Sequence, residues 1–282
     1  MFVKNFLYKI WNYSPAQIFK ILRFEITPPR YLPRFKVLPN ELKRLRKMPR
    51  YVEGETILMG KKVSFIDVDS YLNMCDEIFK QNNYKFKSSK EIPLIIDCGS
   101  NIGLSVIYFK LLYPKAKVIA FEPDKKAFFA LEKNIKSFKL KNVLLNNSAV
   151  WVKDGKIDFS VEGSWGGKIS MNSKDGNIIA VSTTRLNKIL EKKVDFLKID
   201  IEGAETAVLK DCAKNLGNVK DLFVEYHSSV DKKQALPKIL SIITKAGMRY
   251  YIKEASSRKH PFVEKATSGF DLQVNIFAYR GD

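Results

Sequence analysis

From Ile92 onward the chain alternates two rhythms. Short runs rich in Ile, Val, Leu and Phe are separated by longer stretches in which apolar residues return every three or four positions. The first rhythm is that of strands, the second that of amphipathic helices. The pattern predicts strands over 92–97, 117–121, 143–148, 194–199, 219–226, 248–253 and 272–280, and helices over 102–112, 124–138, 184–191, 204–215 and 232–246. A hairpin-like stretch fills the interval to about residue 182, while a hairpin around Gly60-Lys61-Lys62 and a helix over 71–82 come before the alternation. Strand and helix in turn define an α/β chain with a largely parallel sheet and helices on both faces. Ligands of such sheets bind beyond the carboxyl ends of the strands. Asp97, Glu122, Asp200 and Glu225 all fall there.

The first 55 residues follow another pattern and read as a basic, aromatic, helical extension ahead of a domain over 56–282. Phe2, Val3, Phe6, Leu7, Ile10 and Trp11 have near-helical spacing with Lys4 and Lys9 between them, and Ile18, Phe19, Ile21 and Leu22 continue it after Pro15. Two roles suit that stripe. It packs on the main domain or on a second copy in a homo-oligomer, or residues 1–25 lie against a membrane surface.

Composition narrows the class. The net charge of +19 admits nucleic acid, anionic lipid or an acidic substrate as partner. Its lysines are spread along the chain, as on an ordinary solvated surface. Cys75, Cys98 and Cys212 are odd in number, far apart and without a C-x-x-C, which argues against a disulfide framework or a zinc site. No apolar run reaches the roughly 18–20 residues of a membrane span, and no signal core precedes a small-residue cleavage site. The expectation is a cytoplasmic protein, at most peripheral to the inner face of the membrane.

The chemistry begins at Ile95-Ile96-Asp97-Cys98-Gly99-Ser100-Asn101-Ile102-Gly103, followed by Val118-Ile119-Ala120-Phe121-Glu122-Pro123-Asp124. A strand ending in an acid, a glycine turn, a helix and a second strand ending in an acid make a nucleotide-type cofactor site. Gly99 permits a tight turn and close approach to a ligand, and Glu122 is placed to accept both hydroxyls of a ribose. The spacing is not G-x-G-x-x-G, which argues against a dinucleotide, and no P-loop sequence occurs.

With Asp97-x-Gly99-x-Asn101-x-Gly103, Phe121-Glu122-Pro123 and Lys198-Ile199-Asp200-Ile201-Glu202-Gly203-Ala204-Glu205 in view, the chain resembles the FkbM-type methyltransferases from about Thr56 to its end. Val224-Glu225-Tyr226-His227 looks like the acid-plus-histidine strand end of that family. The resemblance implies a class I, Rossmann-like, seven-stranded sheet whose last strand is antiparallel. It implies S-adenosylmethionine as donor and a hydroxyl of a sugar, glycolipid or related small molecule as acceptor. Asp97, Gly99, Asn101 and Gly103 would then shape the methionine end of the cofactor site and Glu122 would hold the ribose, with adenine near Asn147–Val150, around Ala149. One departure is Leu186-Asn187, where the family often has Leu-Asp; no role needing a negative charge is carried to Asn187.

For removing the acceptor's proton, only His227 and His260 are histidines, and His227 is the better placed, just past a strand end and two residues from Glu225. Asp200 and Glu225 complete the expected catalytic group. Asp200, Glu202 and Glu225 are the candidate ligands if a divalent metal is used. The preferred reading needs no metal and lets Glu202 and Glu205 favour the positive end of the next helix. Glu162-Gly163-Ser164-Trp165-Gly166-Gly167-Lys168 is either a substrate loop or a tight hairpin turn. Two rivals stand beside the small-molecule enzyme. A nucleic-acid methyltransferase would explain the charge but lacks a proline pair after the fourth strand and a Pro-Cys nucleophile. An inactive membrane-surface or scaffold protein would explain the front end.

Overall fold

A computed structural model describes residues 39–162, 166–169 and 177–281. Residues 1–25, with their expected membrane or subunit contact, and Gly163–Trp165 of the glycine-rich stretch lie outside them. Pro39 opens a helix that the periodicity did not predict, α1 (Pro39–Leu45). Its last residue, Leu45, is fully buried. Arg44 clamps Glu41 and donates to the carbonyl of Glu55, which ties α1 to the hairpin of β1 (Gly54–Leu58) and β2 (Lys61–Phe65). The hairpin turns at Met59-Gly60, one position earlier than expected, with φ of +48° and +74°. Two left-handed residues in a two-residue turn match the twist of the strands they join. The expected boundary between residues 55 and 56 therefore falls inside β1.

The expected helix over 71–82 starts earlier and changes pitch. Asp67 accepts the backbone N–H of Ser70 and caps α2 (Val68–Cys75), which runs on as a widened π turn over Asp76–Lys80. Such turns interrupt a regular helix and often mark functional positions. Here the turn puts Glu77 on a cavity wall.

The main sheet contains β3 (Leu94–Cys98), β4 (Lys117–Phe121), β5 (Val143–Asn146), β10 (Val194–Ile199), β11 (Val219–Ser229), β12 (Arg249–Glu254) and β13 (Phe270–Tyr279). Their order is β12-β13-β11-β10-β3-β4-β5, with β13 antiparallel to both neighbours and the central strands parallel. This is the seven-stranded Rossmann-like sheet that the resemblance implies. Helices α3 (Leu104–Leu112) and α4 (Lys125–Ser137) follow crossovers running one way along the sheet, whereas α6 (Glu205–Cys212) and α7 (Leu236–Lys245) follow those running the other way. Right-handed crossovers place the two groups on opposite faces. The direction reverses between β3 and β10, and the crevice at such a reversal is where ligands bind.

Between β5 and β10 the chain forms a second sheet from β6 (Ala149–Trp151), β7 (Gly155–Glu162), β8 (Gly166–Ile169) and β9 (Asn177–Arg185), in the order β6-β9-β7-β8. The strand predicted over 143–148 ends at Asn146, and the predicted helix over 184–191 shrinks to α5 (Leu186–Ile189) because β9 continues to Arg185. Gly166 and Gly167 lie in β8, paired with β7, as the hairpin reading of that stretch requires. The core between β10, β11, α6 and α7 is closed by Leu197, Ile199, Val208, Leu222, Val224 and Ile239. The three cysteines are buried and unpaired. Among the described residues no helix is long and apolar enough to cross a membrane.

Candidate active site

The turn after β3 and the acid after β4 form one unit. Gly99 and Ser100 donate their N–H groups to the carbonyl of Phe121, while the Glu122 carboxylate accepts from the N–H of Asn101 and of Asp124, both at 2.8 Å. Gly99 has φ +85°, and a Cβ there would stand 1.8 Å from the carbonyl oxygen of Asp200. Only glycine lets the ends of β3 and β10 come that close. With both carboxylate oxygens pinned by one backbone donor each, Glu122 keeps a further lone pair on each oxygen for two neighbouring hydroxyls. Burial raises its pKa to about 8 against the pull of those two N–H groups.

Gly99, Asn101, Glu122 and Ala149 line a cavity of about 740 Å³, and so do Asp200, Glu202, Glu225 and His227. That volume lies within the roughly 300–1,000 Å³ of small-molecule sites. Two residues expected in the cofactor set do not face it. Asp97 is 0 % exposed and accepts a hydrogen bond from Ser105 on α3. Gly103 begins α3 with φ +87°, where a Cβ would meet Leu131 at 2.4 Å, so its smallness serves the contact of α3 with α4. Both stand behind the wall and shape it.

Lys198 was not foreseen. Near the carboxyl end of β10 its Nζ donates to the carbonyl of Gly99 at 2.8 Å and lies 3.1 Å from Asp200 and 3.5 Å from Asp97. Burial works against the charge, but Asp200, Tyr84 and Asp97 outweigh it and hold the ammonium protonated. The signal was a lone lysine inside the apolar run Val194–Ile199.

His227 departs from expectation in two ways. It lies within β11, not past its end, because β13 pairs with that strand as far as Ser229. Nor is it a free base. The side chain is 2 % exposed, its Nδ1 lies 3.1 Å from Glu205, and its Nε2 stands 3.6 Å from both Glu202 and Glu225. Burial would lower its pKa, yet Glu205, Glu202 and Glu225 together raise it well above the ordinary histidine value. Glu205, in the first turn of α6, is held in turn by the N–H groups of Ile201 and Gly203 in the turn that precedes the helix. Burial raises Glu202 and Glu77 to about 7 each and drives Glu225 upward. Glu202 also holds a left-handed backbone, φ +54°. His260 is exposed in the loop between β12 and β13 and does not line the cavity.

The expected metal set was Asp200, Glu202 and Glu225. The structure instead brings donor atoms of Asp200, Glu202 and His227 within 4.8 Å of one another, with Glu225 bordering them.

A cavity at the sheet reversal, a glycine turn locked to a strand-end acid and a group of carboxylates beside them belong to the class I, Rossmann-like methyltransferase fold. The chain belongs to the FkbM methyltransferase family, whose domain, described as "Methyltransferase FkbM domain", matches residues 97–250. Methyltransferase sdnD of Sordaria araneosa is 28% identical over 171 residues, 48% of this chain and 66% of that protein. The 2-O-methyltransferase NoeI of Sinorhizobium fredii is 26% identical over 158 residues, 49% of this chain and 64% of its own length. The hexuronic acid methyltransferase AglP of Haloferax volcanii is 28% identical over 159 residues, 55% of this chain and 64% of its own. The chain spans a little under two thirds of the length of each of these relatives. S-adenosylmethionine is the donor that the family implies.

Proposed function

We propose that the protein is an S-adenosylmethionine-dependent O-methyltransferase acting on a hydroxyl of a sugar, a glycolipid head group or a related small molecule. The observation that carries this reading is that one cavity joins the Gly99–Glu122 unit to a wall of carboxylates. The fit to the donor rests on Glu122, whose pinned carboxylate suits a ribose, and on the bare backbone of Gly99. Ala149 offers a small apolar surface near the adenine end. Bound there, the donor supplies an electrophilic methyl group.

The carboxylate wall suits a hydroxylated acceptor, since carboxylates accept from hydroxyl donors. The Glu202 and Glu225 carboxylates have no hydrogen-bond donor of their own among the described residues and face the cavity, so they are positioned to take the acceptor's proton. His227, held between them and Glu205, is a positioning residue in this scheme rather than the base expected from the sequence. Alignment of the acceptor oxygen with the methyl group supplies most of the acceleration. Two relatives support the acceptor class, one a 2-O-methyltransferase and one a hexuronic acid methyltransferase.

The test is incubation of the full chain with isotope-labelled donor and a panel of glycans, glycolipids and nucleic acids, read by mass spectrometry. Label on a hydroxyl oxygen of a glycan or small molecule is the expected result. Label on nucleic acid, or no donor binding by calorimetry, would overturn the reading.

A further inference from the structure

The geometry points to a divalent-cation site at the acceptor end of the cavity, built from Asp200, Glu202 and His227. Its role in catalysis rests on the methyltransferase reading; the site itself does not.

The strongest observation is the setting of the imidazole. A histidine that binds a metal through one ring nitrogen ordinarily gives its other N–H to a carboxylate, which fixes the tautomer and aims the free lone pair. Nδ1 of His227 meets Glu205 in this way, and Glu205 is itself fixed by two backbone N–H groups. The other nitrogen, Nε2, belongs to a side chain 2 % exposed, has no hydrogen-bond partner among the described residues and faces Glu202 and Glu225, each at 3.6 Å. That separation exceeds a hydrogen bond. It suits two donors on one ion, which stand roughly 3.0–4.2 Å apart when each is about 2.1 Å from the metal. Asp200 supplies the third donor atom within 4.8 Å of the other two. Lys198 occupies Oδ2 of Asp200 and so settles which way that carboxylate turns.

Charge leads to the same place. Asp200, Glu202, Glu205 and Glu225 converge on a space in which Lys198 is a fixed neighbouring cation, and a bound ion would take the place of the proton that His227 holds there in the free protein. A buried carboxylate without a partner is costly, and a doubly charged ion removes the deficit at once. Two carboxylate oxygens and one imidazole nitrogen suit a first-row ion such as Mn²⁺, Fe²⁺ or Zn²⁺ better than Mg²⁺, with positions left over for ligand oxygens. An acceptor with two neighbouring hydroxyls would fill those positions. A cation held there would lower the pKa of one hydroxyl, whose proton Glu225 would accept. The acceptor oxygen then bonds to the methyl carbon, and the carbon–sulfur electron pair stays on sulfur.

The probe is Mn²⁺ titrated into the full chain without donor or acceptor, with free Mn²⁺ followed by electron paramagnetic resonance and donor affinity measured separately by calorimetry. One saturable Mn²⁺ per chain is expected, displaced by excess Zn²⁺ and weakened about tenfold or more in Glu202→Gln and His227→Gln. Retained donor affinity in these variants reports that they are folded. Glu202→Gly, which suits the left-handed backbone, keeps the test decisive if Glu202→Gln does not fold. Absence of saturable Mn²⁺ binding, or affinity unchanged by these substitutions, overturns the site and leaves the methyltransferase reading intact. Mn²⁺ binding without donor binding overturns that reading and leaves the site.

Discussion

Lys198 carries a full charge into a strand whose other side chains are buried and mostly apolar. Its place is explained by what it joins: the carbonyl of Gly99 from the turn after β3, Asp200 at the end of its own strand and Asp97 behind the wall. Lys198→Met should cost about 3–5 kcal/mol, because it leaves carboxylates buried without their cation, and calorimetric unfolding would register the loss as a lower Tm. Glu122 makes a different claim. With its pKa raised to about 8, the free protein carries this carboxyl largely protonated at pH 7. Ribose hydroxyls donating to it favour the charged form, so donor binding at pH 7 should release a proton and tighten as pH rises towards that value. Calorimetry in buffers of different ionisation heat would show the release. Glu122→Gln should abolish it and weaken binding roughly tenfold or more, given about 1.5–3 kcal/mol for a hydrogen bond to a charged group.

At the scale of elements, Asn134 is the clasp. From α4 its side chain accepts the N–H of Ser64 and donates to the carbonyls of Ser64 and Ile102, which joins the β1–β2 hairpin and the glycine turn to one helix. Asn134→Ala leaves those backbone groups unsatisfied at about 1–3 kcal/mol each, and urea unfolding should show a loss of at least ~2 kcal/mol. Nothing local in the sequence announced this residue, since its partners lie far away along the chain. By contrast, the turn at Gly99 and the acid at Glu122 were legible because strand, glycine and acid follow one another within a single β-α-β unit. The errors have the same origin. β11 outruns its predicted end because β13 pairs with it through Ser229, and this moves His227 from a loop into a strand. The strand predicted over 143–148 stops at Asn146, and Ala149 opens a new strand because β9 offers it a parallel partner. The helix over 71–82 shifts because Asp67, which also binds Arg50 and the N–H of Tyr51, caps it earlier than the apolar spacing implies.

For the whole molecule, the resistance of the fold to acid should depend on contacts far from the cavity. Glu41 joins α1 to β1 through Arg44 and Thr56, and those hydrogen bonds lower its pKa from 4.5 to about 2. A carboxylate depressed in the folded state stabilises it fully above the unfolded value and ceases to do so as pH falls through the folded one. The stability gap between the wild type and Glu41→Gln should therefore be constant above pH 4.5 and close as pH approaches about 2, as urea melts across that range would measure. The backbone of Glu202 has a consequence of another kind. A non-glycine residue held at φ +54° is strained, and Glu202→Gly should raise stability by up to about 1 kcal/mol, read as a higher Tm, while removing a carboxylate from the acceptor wall. Total folding stability is only about 5–15 kcal/mol, so the gain is one that breeding for heat resistance would keep. A laboratory lineage selected on endurance alone would drift towards glycine at this position, and its sturdiest descendants would be the ones that had given up a cavity carboxylate.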